Sequence, residues 1–217
     1  MSGELQKRAF SGAIWASFER FGTMALQFLV NLILARLLTP SDFGCIGMLA
    51  IFVLVSQIII DGGFGSALIQ KKSPSQTDYS TIFYWNIIFS SILYLILFIS
   101  APSISSFYRM PILCDVLRIM GINLIINSLG IIQINRLRKQ LAFKRIAIIN
   151  IVSYLVSAII AISLAYIGYG VWSLVIMQLL FSLFSVTFFW IITKWKPNLC
   201  FSFQSLKSLF QFGGYLL

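Results

Sequence analysis

Ile82-Phe83-Tyr84-Trp85-Asn86-Ile87-Ile88-Phe89-Ser90-Ser91-Ile92-Leu93-Tyr94-Leu95-Ile96-Leu97-Phe98-Ile99-Ser100-Ala101 contains no charged side chain. A helix rising about 1.5 Å per residue covers roughly 30 Å over such a run, the thickness of the hydrocarbon core of a bilayer. Comparable runs recur at 14–37, 43–62, 113–135, 146–167 and 171–193, separated by short polar breaks. Lipid offers the backbone no hydrogen-bond partner, so a spanning segment is a helix or part of a closed barrel. Continuous apolar runs, rather than strands of alternating hydrophobicity, predict helices. The expected fold class is therefore all-α, a polytopic transmembrane helical bundle. Residues 1–193 form one six-helix lobe, and 194–217 form an amphipathic cytoplasmic linker leading into a seventh helix. The chain stops before that last segment can cross, which predicts a continuation beyond Leu217.

Composition agrees with this reading. The 217 residues are 59% hydrophobic and only 10% charged, with a mean hydropathy of +0.93, against about 25% charged residues in soluble domains. Cys45, Cys114 and Cys200 lie far apart and histidine is absent, so no disulfide framework, Cys/His metal site or cofactor motif is indicated. The run Asp61-Gly62-Gly63-Phe64-Gly65 lacks the strand and the Lys-Ser/Thr pair of a phosphate loop, and nucleotide binding is rejected there. Lys7 and Arg8 precede an apolar run as in a signal peptide, but Glu19 and Arg20 interrupt it and no small-residue cleavage site follows. The first helix is expected to be retained.

The breaks have their own chemistry. Pro40, Pro74, Pro102, Pro111 and Pro197 all fall between the runs, where a missing N–H does no harm. Ser41 and Asp42 stand where the second helix should be capped, and Gly168 and Gly170 supply a tight turn. A net charge of +10 would suggest nucleic acid in a soluble chain, but here the basic residues lie between apolar spans. With the N-terminus in the cytoplasm, twelve of the sixteen fall inside: Lys7, Arg8, Lys71, Lys72, Arg136, Arg138, Lys139, Lys144, Arg145, Lys194, Lys196 and Lys207. The cluster from Arg136 to Arg145 is read mainly as an orientation signal, with anionic lipid as a second role. Tyr79, Tyr84, Trp85, Tyr108, Trp172, Trp190 and Trp195 are expected to form interfacial aromatic belts.

Polar residues within the runs form stripes at helical spacing. The first run carries Arg20, Thr23, Gln27 and Asn31; the third, Asn86 and Ser90; the fourth, Asn123 and Asn127. The fifth offers Asn150, Ser153, Tyr154 and Ser157, and the sixth Gln178, Ser182 and Ser185. Such stripes either pack helices together through small and polar contacts or face a shared wet cavity, and the spacing leaves both open. Candidate cavity residues are Arg20, Gln27, Asn31, Asp61, Asn123, Asn127 and Asn150. A charge within a span costs at least about 2.5 kcal/mol, so Arg20 and Asp61 need a reason to be there. In an antiparallel hairpin hinged at Pro40 they reach similar depth and are placed to pair; alternatively, the Arg20 guanidinium offers an anionic head group two parallel donors.

Leu34-Ala35-Arg36-Leu37-Leu38-Thr39-Pro40-Ser41-Asp42-Phe43-Gly44, followed by Asp61-Gly62-Gly63-Phe64-Gly65-Ser66-Ala67-Leu68-Ile69-Gln70, resembles the opening hairpin of the Wzx-type oligosaccharide flippases. Phe107-Tyr108, Phe143-Lys144 and Gly168-Tyr169-Gly170-Val171-Trp172 fit the same pattern. The resemblance implies membership of the multidrug and oligosaccharidyl-lipid exporter superfamily, built from two pseudo-symmetric lobes in a bacterial inner membrane. It further implies flipping of undecaprenyl-pyrophosphate-linked oligosaccharides for surface polysaccharide or lipopolysaccharide (O-antigen) assembly, by alternating access. Its implied partners are the lipid-linked oligosaccharide, membrane lipids, a polysaccharide polymerase and glycosyltransferases, with no nucleic acid, cofactor or metal. A multidrug exporter would want buried carboxylates for cationic cargo. A membrane enzyme would want a large catalytic loop, and the breaks here are short. A scaffold of a synthesis complex is the remaining alternative.

Overall fold

The computed structural model describes the backbone of residues 2–71 and 73–207, and side chains at Trp15, Ser17 and from Arg20 onward, Lys72 excepted. Seven α-helices lie wholly within the described residues, in order α1 Ser2–Leu37, α2 Pro40–Asp61, α3 Phe64–Gln70, α4 Gln76–Tyr108, α5 Ile112–Lys139, α6 Phe143–Ile167 and α7 Val171–Thr193, and residues 203–207 are also helical. Six segments are long and apolar enough to cross a membrane, the stretch Pro40–Gln70 counting as one. The polytopic helical bundle is thus the observed architecture, and the described residues contain no strand. The side chains of Lys7, Arg8, Glu19 and Lys72 and the segment 208–217 lie outside the described residues.

Local chemistry sets the helix ends. Thr39, rather than Ser41 or Asp42, caps α2: its Oγ1 accepts from Asp42 N–H at 3.3 Å, and Asp42 Oδ2 accepts from Thr39 N–H at 2.9 Å. Asp42 is the third-position member of a capping box, and Pro40 takes the first helical position, where no N–H is needed. Ser75 and Asp78 repeat the box at α4, and the Asp78 carboxylate also pairs with Lys71 Nζ at 2.6 Å. Pro102 corrects the sequence reading, for it lies inside α4 and not in a break. The helix runs on to Tyr108 because Arg109 adopts a left-handed cap, its N–H bonding back to the carbonyls of Ser105 and Ser106.

Each span reverses the chain, and contacts between distant segments show which ends meet. Lys139 at the end of α5 reaches the end of α3, Gln76 at the start of α4 bonds to Lys196 beyond α7, and Lys144 at the start of α6 lies over Trp15 of α1. We term this the basic end. The turns at Thr39, Arg109 and Gly168–Gly170 form the other, with Gly168 (φ 96°) and Gly170 (φ 55°) in the conformation that glycine adopts without strain.

Helix α5 is the centre of the bundle, packing against α4 and α7 and more lightly against α2, α3 and α6. Two glycines permit this closeness: a Cβ at Gly121 would stand 2.8 Å from Tyr94 Cδ2, and one at Gly130 2.8 Å from Val186 Cγ2. Helix α1 packs against α6, not α2, with Val30, Leu34 and Leu38 seated on Ala158, Ala161 and Ala165. Small side chains on α6 allow that approach. The expected α1–α2 hairpin is therefore open, the two helices joined at the turn but supported by different neighbours.

The aromatic belts also need correction. Tyr79 and Trp195 are buried and pack with Phe83 and Trp190 in a cluster at the basic end. Trp195 Nε1 donates to Gln76 Oε1 at 2.7 Å and Trp190 Nε1 to the Leu129 carbonyl at 3.0 Å. Partners inside the protein satisfy the indole N–H groups that a belt residue would direct at the interface. At the other end, Phe107, Tyr166 and Tyr169 present exposed rings.

Gly130→Ala is expected to destabilise the bundle by about 1–3 kcal/mol, because β-branched Val186 has no spare rotamer with which to yield. Adding Val186→Ala should recover part of the loss; thermal unfolding of the single and double variants measures the coupling.

Candidate functional site

The open hairpin leaves a groove walled by α1 and α2 and floored by α6 and α7. Toward the basic end it widens into a cavity of about 600 Å³, lined by Ser17, Arg20, Thr23 and Gln27 of α1, Arg138 of α5, Phe143, Ile146 and Asn150 of α6, and Phe181 of α7. Gln27 and Phe181 are shared with a second cavity of about 420 Å³. That second part is lined by Asn31, by Phe43, Ile46 and Gly47 of α2, and by Tyr154, Leu174, Met177 and Gln178.

The two parts differ in charge. Arg20 and Arg138, both exposed, face the basic-end cavity, and no carboxylate lines it among the described residues. The second part carries no charge: three amides, from Gln27, Asn31 and Gln178, stand beside the rings of Phe43, Tyr154 and Phe181. Two guanidinium groups at one end offer bidentate donors to a phosphate-like anion. Amides and aromatic rings at the other suit hydroxyl-rich, uncharged groups.

Several other described cations at the basic end are committed elsewhere. Lys139 Nζ donates to the carbonyls of Leu68 (3.2 Å) and Ile69 (3.0 Å), and to that of Lys71, capping α3. The Arg136 guanidinium lies 5.5 Å from the Tyr79 ring and 5.9 Å from that of Trp195, and Lys144 lies over Trp15. The connector read as an orientation signal thus contains residues with three separate structural duties, and Arg138 is left turned to the cavity.

Of the sequence candidates, the structure brings Arg20, Gln27, Asn31 and Asn150 into one groove. Asn123 and Asn127 lie outside its lining. Asn123 is buried within the bundle, on the helix whose Ser128 meets Ser90 of α4 at 3.1 Å. Asn86, Ser90 and Asn123 on α4 and α5 are buried in packing seams, whereas the α1 stripe lines the groove together with Asn150 and Tyr154 of α6 and Gln178 of α7; the serines at 153, 157, 182 and 185 are buried. Asp61 does not pair with Arg20; among the described residues the ion pair is Lys71–Asp78. Asp61 does not line either cavity; its carboxylate lies at the start of α3, where a Cβ on Gly65 would stand 3.1 Å from Asp61 Oδ1. Arg138, Tyr154, Gln178 and Phe181 were missed as cavity residues. Tyr154 and Gln178 stood in the polar stripes, but nothing in the sequence separates Arg138 from its basic neighbours.

The sequence model of a family described as "Polysaccharide biosynthesis protein" matches residues 33–217. The chain is 29% identical over 215 residues to the teichuronic acid biosynthesis protein TuaB of Bacillus subtilis, covering 98% of this chain and 44% of that protein. It is 26% identical over 198 residues to the succinoglycan biosynthesis transport protein ExoT of Rhizobium meliloti, covering 91% and 40%. It is 22% identical over 221 residues to the lipopolysaccharide biosynthesis protein WzxC of Escherichia coli, covering 98% and 44%. The chain thus spans less than half the length of these relatives. No solved structure matches it.

Single cysteines placed at Arg20, Asn150 and Gln178 in a background lacking Cys45, Cys114 and Cys200 should react with hydrophilic thiol reagents. Cysteines at Asn86 and Ser90, both fully buried, should stay unmodified until the protein is denatured. Equal labelling of the two sets would remove the distinction between groove and seam.

Proposed function

Because the chain belongs to the polysaccharide biosynthesis protein family, we propose that it forms one lobe of a transporter that flips undecaprenyl-pyrophosphate-linked oligosaccharides across the bacterial cytoplasmic membrane by alternating access. The observation that carries this reading is the polarity of the groove: two arginines at the basic end and uncharged amides and rings beyond them. A lipid-linked sugar has the same order of chemistry, an anionic diphosphate followed by hydroxyls. Arg20 and Arg138 engage the diphosphate as the substrate arrives, and Gln27, Asn31, Asn150, Tyr154 and Gln178 face the sugars. Asp61 lies outside the groove lining and leaves the Arg20 guanidinium to the anion. Asn123 and Asn127 support the helices behind the groove.

This reading puts the basic end in the cytoplasm, as expected from the distribution of Lys and Arg, so the groove opens toward the leaflet where lipid-linked sugars are built. It assigns the role of transporter, not enzyme, to the protein. The roles named for relatives such as the succinoglycan biosynthesis transport protein support export of polysaccharide precursors. A polymerase and glycosyltransferases are the expected neighbours in such assembly. A drug exporter fits less well, since the described groove lining is cationic where a cationic drug would want a carboxylate.

Arg20→Gln and Arg138→Gln should each lower the flipping rate of the full-length transporter, in vesicles loaded with a defined lipid-linked sugar, by about tenfold, and more when combined. Amounts in the membrane should be unchanged. Normal flipping by a stably inserted double variant would exclude these arginines from head-group recognition.

A further inference from the structure

The membrane-spanning stretch Pro40–Gln70 is interrupted once, where Gly62 (φ 46°) and Gly63 (φ 75°) adopt consecutive left-handed conformations. The ladder of α2 closes at Gly62 N–H on the Ile58 carbonyl, 3.0 Å, and α3 starts afresh at Phe64. A helix ending here presents its last carbonyls without intrahelical donors and carries the negative end of its dipole. Asp61, the final residue of α2, adds a full negative charge at the same point. That placement is electrostatically adverse unless a cation answers it.

No described side chain does so. Asp61 forms no ion pair, Lys139 is occupied by the carbonyls at the far end of α3, and Arg136 is held between aromatic rings. A second polar group converges on the break from α5. Asn135 is 5% exposed, and its buried Nδ2 has no hydrogen-bond partner. Both it and Asp61 crowd one spot, for a Cβ at Gly65 would lie 3.1 Å from Asn135 Nδ2 and 3.1 Å from Asp61 Oδ1. Any side chain at 65 would press on both polar groups.

We propose that this helix break binds a monovalent cation of sodium size, held by the Asp61 carboxylate, the terminal carbonyls of α2 and the amide of Asn135. A half-turn of the amide about its last bond brings Oδ1 to the position now taken by Nδ2 and breaks no hydrogen bond. One carboxylate with neutral oxygens balances a single positive charge. The described residues offer no group of three His, Cys, Asp or Glu side chains of the kind a transition metal requires. Interrupted membrane helices, with carbonyls freed at a half-helix C-terminus, are suited to such ions. The inference stands apart from the reading of the groove as a lipid-linked sugar site, because the break and the groove share no lining residue.

The test is binding of radiolabelled sodium to the full-length protein in lipid nanodiscs, with no transport step required. Saturable binding displaced by unlabelled sodium, and not by choline at equal ionic strength, is expected. Asp61→Asn should weaken it by about tenfold or more. Gly65→Ala, whose methyl would push Asp61 and Asn135 aside while retaining every charge, should weaken it too and covers the case in which the Asp61 variant fails to fold. Asp115→Asn, at an exposed acid beside the opposite end, should bind as wild type does. Unsaturable binding, or equal affinity in wild type, Asp61→Asn and Gly65→Ala, would overturn the proposal. So would a site that responds to pH and ignores sodium, which would make Asp61 a proton carrier.

Discussion

A bilayer gives a peptide group nothing to bond with, and the described helix breaks of this chain are set against protein rather than lipid. The ladder of the second span breaks at Gly62–Gly63, against buried Phe64, Gly65, Ala67 and Leu68 rather than against the hydrocarbon. The carbonyls at the end of α3 take Lys139 as their donor, and the start of α4 is closed by Ser75 and Asp78. The same rule sorts the polar side chains. Some meet across a seam, as Ser90 and Ser128 do, and others, such as Gln27 and Asn31, face a cavity that can hold water.

The groove follows from an asymmetry of support. Helices α4 and α7 approach α5 closely enough that glycine is needed at its contacts with Tyr94 and Val186. Helix α1 leans on the alanine face of α6 and has no comparable hold on α2. The first two helices thus diverge from a shared turn, and the space between them is floored by α6 and α7. Because α1 brings Arg20, Gln27 and Asn31 along one stripe, the wall it forms changes from charged to neutral along its length.

Much of this was legible in the sequence because membrane helices obey few rules. The spans 146–167 and 171–193 agree with α6 and α7 to within a few residues, since the glycine pair between them permits no other partition. The end of α4 was misplaced because Pro102 was read as a breaker, whereas the helix passes it and stops at a left-handed Arg109. The α1 stripe was legible from its spacing, but the choice between seam and cavity was not. Asn86 and Gln27 look alike in a sequence, and only the neighbours of each helix decide which is sealed and which is wet. The pairing of Arg20 with Asp61 failed for the same reason, because adjacency in the chain does not make α1 and α2 packing partners. Arg138 was hidden among cations whose separate duties arise from tertiary contacts with Tyr79, Trp195, Leu68 and Trp15.

The aromatic cluster at the basic end has an optical consequence. Trp190 and Trp195 stand 6.4 Å apart, Trp85 is stacked on Phe89, and Trp15 sits beneath Lys144. Trp172, beside the Gly168–Gly170 turn, is the fifth tryptophan and is remote from the others. Intrinsic emission from this protein therefore reports chiefly on one side of the bilayer. Rearrangements there will alter the spectrum through indole coupling and changes in local polarity, while movement at the opposite turns will register through a single fluorophore.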